Sequence, residues 1–452
     1  MPNKITTYLP RVCCALLSLS LAGLFATGSR AQTAAEPERE TLLNGLRILY
    51  WNQPGNPDVL LRMRIHSGAA FDLADKGGTM ALLGDAFFPD ASTREYVTEE
   101  LGGKLDVRTN YDTIDVTISG KTAGLERMID LLRGAVLTTQ LGAENVAALK
   151  SARLKSYESS SSSDSANRAV MSRLFGSFPY GHPANGTVST LEKVDRADLL
   201  LARDRFLHAD NATLAVIGGV DKSRLMRALR QLLGPWGKSD KTIPATFRQP
   251  SEANANVLLV DAPQSSTAEI RIAVRGLARD DNDAWAAEML AQIARTRWQA
   301  AVPELANVSV RHEAHLLPGI FLFSASAPQA SAAKAVSAAQ DIMRQLSQTA
   351  PNADETERAR TVVVAQLTQQ LSQPAGVAEA WLDVDTFKSS RPSTVSTVIR
   401  SLTPADVQRV ATRLFKDAKT ATVVLGNAEK LKPQFPGNIE TSGNTIAPTA
   451  KP

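Results

Sequence analysis

Apolar and polar residues alternate along Val59-Leu60-Leu61-Arg62-Met63-Arg64-Ile65, and again along Ala268-Glu269-Ile270-Arg271-Ile272-Ala273-Val274. A period of two puts one side of an extended chain on a core, so each stretch predicts a β-strand with one apolar face. Each is followed by long stretches rich in Ala and Leu with helical spacing. Each half then closes on a helix and a strand: 195–206 followed by 212–218 in the first, 403–415 followed by 421–426 in the second. The same order of elements twice predicts duplicated α+β domains, each a mixed or antiparallel sheet packed against helices.

Breaks in the pattern set the boundaries. Residues 1–31 read as a signal peptide. Lys4 and Arg11 precede an apolar run at 12–25, and small residues flank Arg30 at a cleavage point before Gln32. A first domain is expected over 40–236, a polar, proline-bearing linker over 237–256, a second domain over 257–435 and a disordered tail over 436–452. Gly102-Gly103 ends a helix, and 104–119 then reads as two strands around the turn Asn110-Tyr111-Asp112. The serine run at 159–163 reads as a loop before a helix containing 168–175.

Composition adds mainly exclusions. Both cysteines, Cys13 and Cys14, lie in the signal segment, so the mature chain has no disulfide, thiolate ligand or cysteine nucleophile. The formal charge of +4 includes three cations, and no acid, from residues 1–31, which leaves about +1. With no clustered basic face, nucleic acid is not an expected partner. Once the signal is removed, no membrane span is expected. There is no G-x-S-x-G, P-loop or G-x-G-x-x-G after a strand.

Four stretches, in order, carry a family resemblance: Leu43-Asn44-Gly45-Leu46-Arg47; Leu101-Gly102-Gly103 through Thr109; Pro179-Tyr180-Gly181-His182-Pro183 with Gly186-Thr187 and Asp198-Leu199; and Asn211-Ala212-Thr213-Leu214 through Asp221. Together they resemble the insulinase-like M16 peptidases, the inverted zincins. The resemblance implies a half-clamshell of two homologous domains that pairs with a second half around a peptide chamber. The family's zinc helix carries H-x-x-E-H, two histidines one turn apart with the glutamate that activates water. At the matching positions this chain has Ala81, Gly84 and Asp85. The family's third ligand, a glutamate on a later helix, falls near 146–158, with Lys155 and Ser156 as the best-matching positions. The Arg and Tyr by which zinc-free partner chains contact substrate are matched by Ala301 and Val308.

No metal is therefore expected in this chain. His312 and His315 are a weak metal candidate, read otherwise as solvated polar positions. The surviving feature is the strand Leu105, Asp106, Val107, Arg108 and Thr109: the resemblance implies an edge that would bind peptides by β-augmentation, and the alternative is an ordinary core strand. The expected function is a non-catalytic subunit, periplasmic or secreted, partnered by a homologue that carries H-x-x-E-H and zinc. The alternatives are a stand-alone peptide-binding scaffold and a zinc peptidase with an atypical site.

Overall fold

The computed structural model describes residues 36–157, 161–240, 247–437 and 439–443. The signal segment and both cysteines lie outside the described residues. Strands β1 (Glu38–Thr41), β2 (Arg47–Asn52), β3 (Asp58–Ile65), β4 (Lys104–Thr109), β5 (Ile114–Lys121) and β6 (Ala212–Gly218) form one six-stranded sheet in the order β1-β2-β6-β3-β5-β4. Strands β7 (Val257–Asp261), β8 (Thr267–Arg275), β9 (Ala306–Glu313), β10 (Ile320–Pro328), β11 (Ala421–Gly426) and β12 (Ile439–Gly443) form a second, ordered β12-β7-β11-β8-β10-β9. From β2 and β7 onward the two orders match strand for strand. In each sheet the β2–β6 or β7–β11 pair is parallel and the remaining inner pairs are antiparallel. Each sheet is covered by helices, so the expected duplicated α+β fold is present.

Six helices matter below: α1 (Thr79–Asp85), α2 (Ala143–Tyr157), α3 (Ser162–Phe175), α4 (Ala284–Ala301), α5 (Ala353–Leu371) and α6 (Pro374–Phe387). The serine run is not wholly a loop. Ser161 caps α3 in a capping box with Asp164, so Ser162 and Ser163 are helical. Residues 158–160 lie outside the described residues.

The two halves exchange helices. From the first half, α3 lies on β8 and β11 and buries Ala166, Val170 and Leu174 with Val423 and Leu425. From the second, α6 lies on β3 and β6 and buries Ala378, Trp381 and Leu382 with Leu49, Trp51 and Ile217. This corrects the one-faced reading of β3. Its polar alternates Arg62 and Arg64 are buried as well, because α6 covers that face. Both guanidiniums bond Asp115 on β5: Arg62 Nη2 at 2.9 Å, and Arg64 Nε and Nη2 at 2.7 and 2.9 Å. Arg64 Nη1 then reaches Asp383 of α6 at 2.6 Å, tying one half to the other. Arg271, at the related place on β8, is likewise buried and bonds Asn167 and Ser163 of α3 at 2.6 Å each.

The tail and linker readings also change. Ile439–Gly443 is not disordered but forms β12, parallel to β7. Glu440 there accepts from Arg173 Nη1 at 2.9 Å. The stretch read as a linker packs in part: Phe247 meets Phe71 and Phe178 at ring distances of 5.8 and 6.1 Å, and Ala253 is buried. Residues 241–246 and 444–452 lie outside the described residues.

Candidate functional site

The helix at the metal position is set by the loop that leaves β3. Gly78, at φ 96°, opens α1 in a conformation that suits glycine. The Asp72 carboxylate accepts from Met80 N at 2.8 Å and Gly78 N at 2.7 Å, satisfying donors that a helix start leaves free. Burial pushes Asp72 up to about 7, against the pull of those backbone N–H groups. Met80, Leu82 and Leu83 enter the core, which leaves Ala81, Gly84 and Asp85 on the helix face of interest.

That face is occupied by protein. Arg153 of α2 donates from Nε to Asp85 Oδ2 at 2.6 Å and from Nη2 to Asp85 Oδ1 at 3.0 Å. The same Nη2 reaches the Ala81 carbonyl at 3.2 Å. A guanidinium thus braces α1 to α2 with the fork geometry that suits a carboxylate. Arg153, rather than Lys155 or Ser156, is the α2 residue that faces α1; those two are exposed.

The glutamate position is crowded. A Cβ built on Gly84 would lie 2.6 Å from Thr109 Oγ1 and 3.6 Å from Val107 Cγ1, so β4 packs against the bare backbone. These residues do not fit zinc. Ala81 and Gly84 supply no donor atom, and the Asp85 carboxylate is held by a cation. Among the described residues, no three His, Cys, Asp or Glu side chains converge as a metal-ligand group.

The strand beside α1 is terminal in its sheet, and among the described residues β5 is its one strand neighbour. Asn110 N donates to Thr113 O at 3.0 Å at the hairpin end, so this is a hydrogen-bonded pair. Such pairs alternate in antiparallel strands. Arg108 and Asp106 therefore bond β5, while the backbone groups of Leu105, Val107 and Thr109 face the open edge. The Asp106 and Arg108 side chains are exposed and pair with each other at 2.7 Å.

The histidine readings need correction. His312 is not solvated: it points inward from β9 with a side-chain exposure of 1%, and its Nε2 accepts from Leu277 N at 2.9 Å. His315 sits instead against Tyr180 and Tyr111, with Nδ1 3.3 Å from Asp112 Oδ2. The two rings serve separate clusters and form no metal pair. Tyr180, from the P-Y-G-H-P block, donates to Asp112 Oδ1 at 3.1 Å and accepts from Leu317 N at 3.1 Å, so that block joins the halves. At the Arg/Tyr positions, Ala301 is exposed and Val308 buried. Nearby Arg295 and Arg297 are engaged by Val308 O at 3.1 Å and Glu355 at 2.8 Å, and Arg311 pairs with Glu313.

Two family profiles match this chain: "Insulinase (Peptidase family M16)" over residues 47–188 and "Peptidase M16 inactive domain" over 193–363. The chain belongs to the insulinase-like M16 peptidase family. A Rickettsia felis protein named "Uncharacterized zinc protease" is 21% identical over 217 residues, 46% of this chain and 52% of that protein. Human "Cytochrome b-c1 complex subunit 1, mitochondrial" is 23% identical over 222 residues, 47% of this chain and 46% of that protein. The chain spans about half the length of the curated relatives it matches. The fold is shared with a "peptidase M16 inactive domain" from Pseudomonas fluorescens, with TM-score 0.77 and 18% identity over 87% of this chain and 98% of that one.

Proposed function

We propose that this chain is a non-catalytic M16 subunit of the cell envelope. It would complete a peptide chamber with a homologue that carries H-x-x-E-H and zinc. The observation that carries the reading is the Arg153–Asp85 brace at the metal position, together with the Thr109 side chain against Gly84. A peptidase site needs a water-activating metal or an equivalent nucleophile there, and these residues offer a filled ion pair. The signal-like segment at 1–31 supports export, and no helix among the described residues is long and apolar enough to cross a membrane. A curated relative named as a subunit of a larger complex supports a role within an assembly.

In this reading Leu105, Asp106, Val107, Arg108 and Thr109 bind peptide by strand addition, through the outward backbone groups of alternate residues. V107P removes one outward N–H, and edge strands tolerate proline at such positions. Peptide binding by fluorescence anisotropy should fall at least about tenfold, the loss of roughly one to two hydrogen bonds, with an unchanged circular dichroism spectrum. Unaltered affinity would remove β4 as the binding edge.

The subunit reading is tested by purifying the tagged chain from its native host and identifying what accompanies it by mass spectrometry. An equimolar H-x-x-E-H homologue is the expected result. Recovery of the chain alone, still binding peptides, would replace the subunit by the stand-alone scaffold.

A further inference from the structure

A cavity lies away from the metal position. The start of α4, the end of β9, α5, α6 and the loop after α6 enclose about 170 Å³. Three of its lining charges stand in ion pairs, and the Asp383 carboxylate is shared by Arg279 and Arg64. Arg279 pairs with Asp383 at 3.1 Å, and Asp281 pairs with Arg413 at 2.7 Å. Glu288 differs: it is the lining acid for which the described residues provide no hydrogen bond, and its side chain keeps 36% of its exposure. Its nearest cation-forming neighbour is His312, with Nδ1 3.7 Å from Oε1.

The state of His312 follows from its other nitrogen. Leu277 N donates to Nε2, so Nε2 supplies its lone pair and the neutral ring carries its proton on Nδ1. That Nδ1–H is buried without a partner among the described residues, and it lies on the Glu288 side of the ring. It has no lone pair for a metal. At 3.7 Å it stands beyond hydrogen-bond length from Glu288 Oε1, so both carboxylate oxygens are left for a ligand. Trp285, one turn before Glu288 on α4, lines the same space, as do Leu367 and Val395. The cavity therefore combines a carboxylate without a hydrogen bond among the described residues, an aromatic ring and an apolar wall.

We propose that this cavity binds the ammonium group of an alkyl chain. Glu288 takes the charge, Trp285 adds a cation–π contact, and Leu367 and Val395 pack on the methylenes. The space is well above what a single water needs and admits a short alkylamine or the end of a lysine side chain. A free amine and a peptide lysine share this chemistry, so the experiment separates them.

Isothermal titration of the full chain would compare pentylamine, the blocked peptide acetyl-Ala-Lys-Ala-amide, and pentanol as the uncharged control. Pentylamine is expected to bind and pentanol to bind at least about tenfold more weakly, the loss of one charge-assisted contact. E288Q should weaken pentylamine by a similar factor, while E304Q, at an exposed acid outside the cavity lining, should not. Binding of the peptide as well would identify a lysine side chain as a ligand; binding of pentylamine alone would identify a free amine. Pentylamine binding no better than pentanol, or equally well to E288Q, overturns the proposal. Neither result bears on the β4 edge, so failure here leaves the subunit reading untouched.

Discussion

D115A is expected to destabilise the protein by about 3–5 kcal/mol, because it strips the shared carboxylate from two buried arginines. The side chains of Arg62, Arg64 and Asp115 are 9%, 3% and 5% exposed, so water cannot take over the lost contacts. Asp383 would still hold one end of Arg64, at 2.6 Å, but Arg62 would keep only Glu379 at 3.5 Å and the Ala375 carbonyl at 3.4 Å. The exposed pair Lys121–Asp58 is the contrast: both side chains keep 58% of their exposure. D58A should therefore cost under about 1 kcal/mol. Urea unfolding followed by far-UV circular dichroism measures both. A D115A cost no larger than that of D58A would mean that the buried network is not what clamps α6 to the first sheet.

The pH dependence has the same origin. Burial alone would raise the Asp115 pKa, but Arg64 and Arg62 more than reverse this and the net shift is downward. A carboxylate depressed in the folded state contributes its stability above the unfolded value of about 3.9 and loses it as pH falls toward the folded value. The difference between wild type and D115A should therefore be full at neutral pH and shrink below about pH 4.

This network also marks where sequence reading stops. The strands, the repeated helix–strand closure and the degenerate motif are local patterns, and they are legible because period and spacing are local properties. Arg62 and Arg64 look like a solvent face because their partners are distant in sequence: Asp115 lies 51–53 residues on, and Asp383 lies 319 residues from Arg64. Only the exchange of α3 and α6 between halves buries that face, and no pattern within either half announces it. The strand β12 escaped for a different reason. Its residues are mostly exposed, and its pairing with β7 uses backbone groups that every residue carries. His312 was within reach. Val308, Val310 and His312 alternate on the buried side of β9, so the period of two already placed the ring inside.

The metal position yields the other large effect. The triple variant A81H/G84E/D85H restores the family motif in sequence, yet it is expected to bind no stoichiometric zinc. Arg153 would remain as a cation facing the two introduced imidazoles, with its Asp85 partner removed. The side chain introduced by G84E would start from a Cβ 2.6 Å from Thr109 Oγ1, so the Thr109 side chain or β4 has to shift. Adding R153E converts the cation into a third ligand on the helix that faces α1, and adding T109A removes the obstructing oxygen. Three protein ligands with one open position define a catalytic zinc site, so the quintuple variant should take up about one zinc per chain. Plasma mass spectrometry after dialysis gives the count. Because the brace between α1 and α2 has been removed, chelation should lower the melting temperature of the quintuple variant and leave wild type unchanged. One zinc per chain in the triple variant would show that neither Arg153 nor Thr109 bars the metal. No zinc in the quintuple variant would show that α1 and α2 no longer stand at ligand distance. The expected pair of results would make a guanidinium and a threonine, rather than the three motif positions alone, the features that bar zinc from this position.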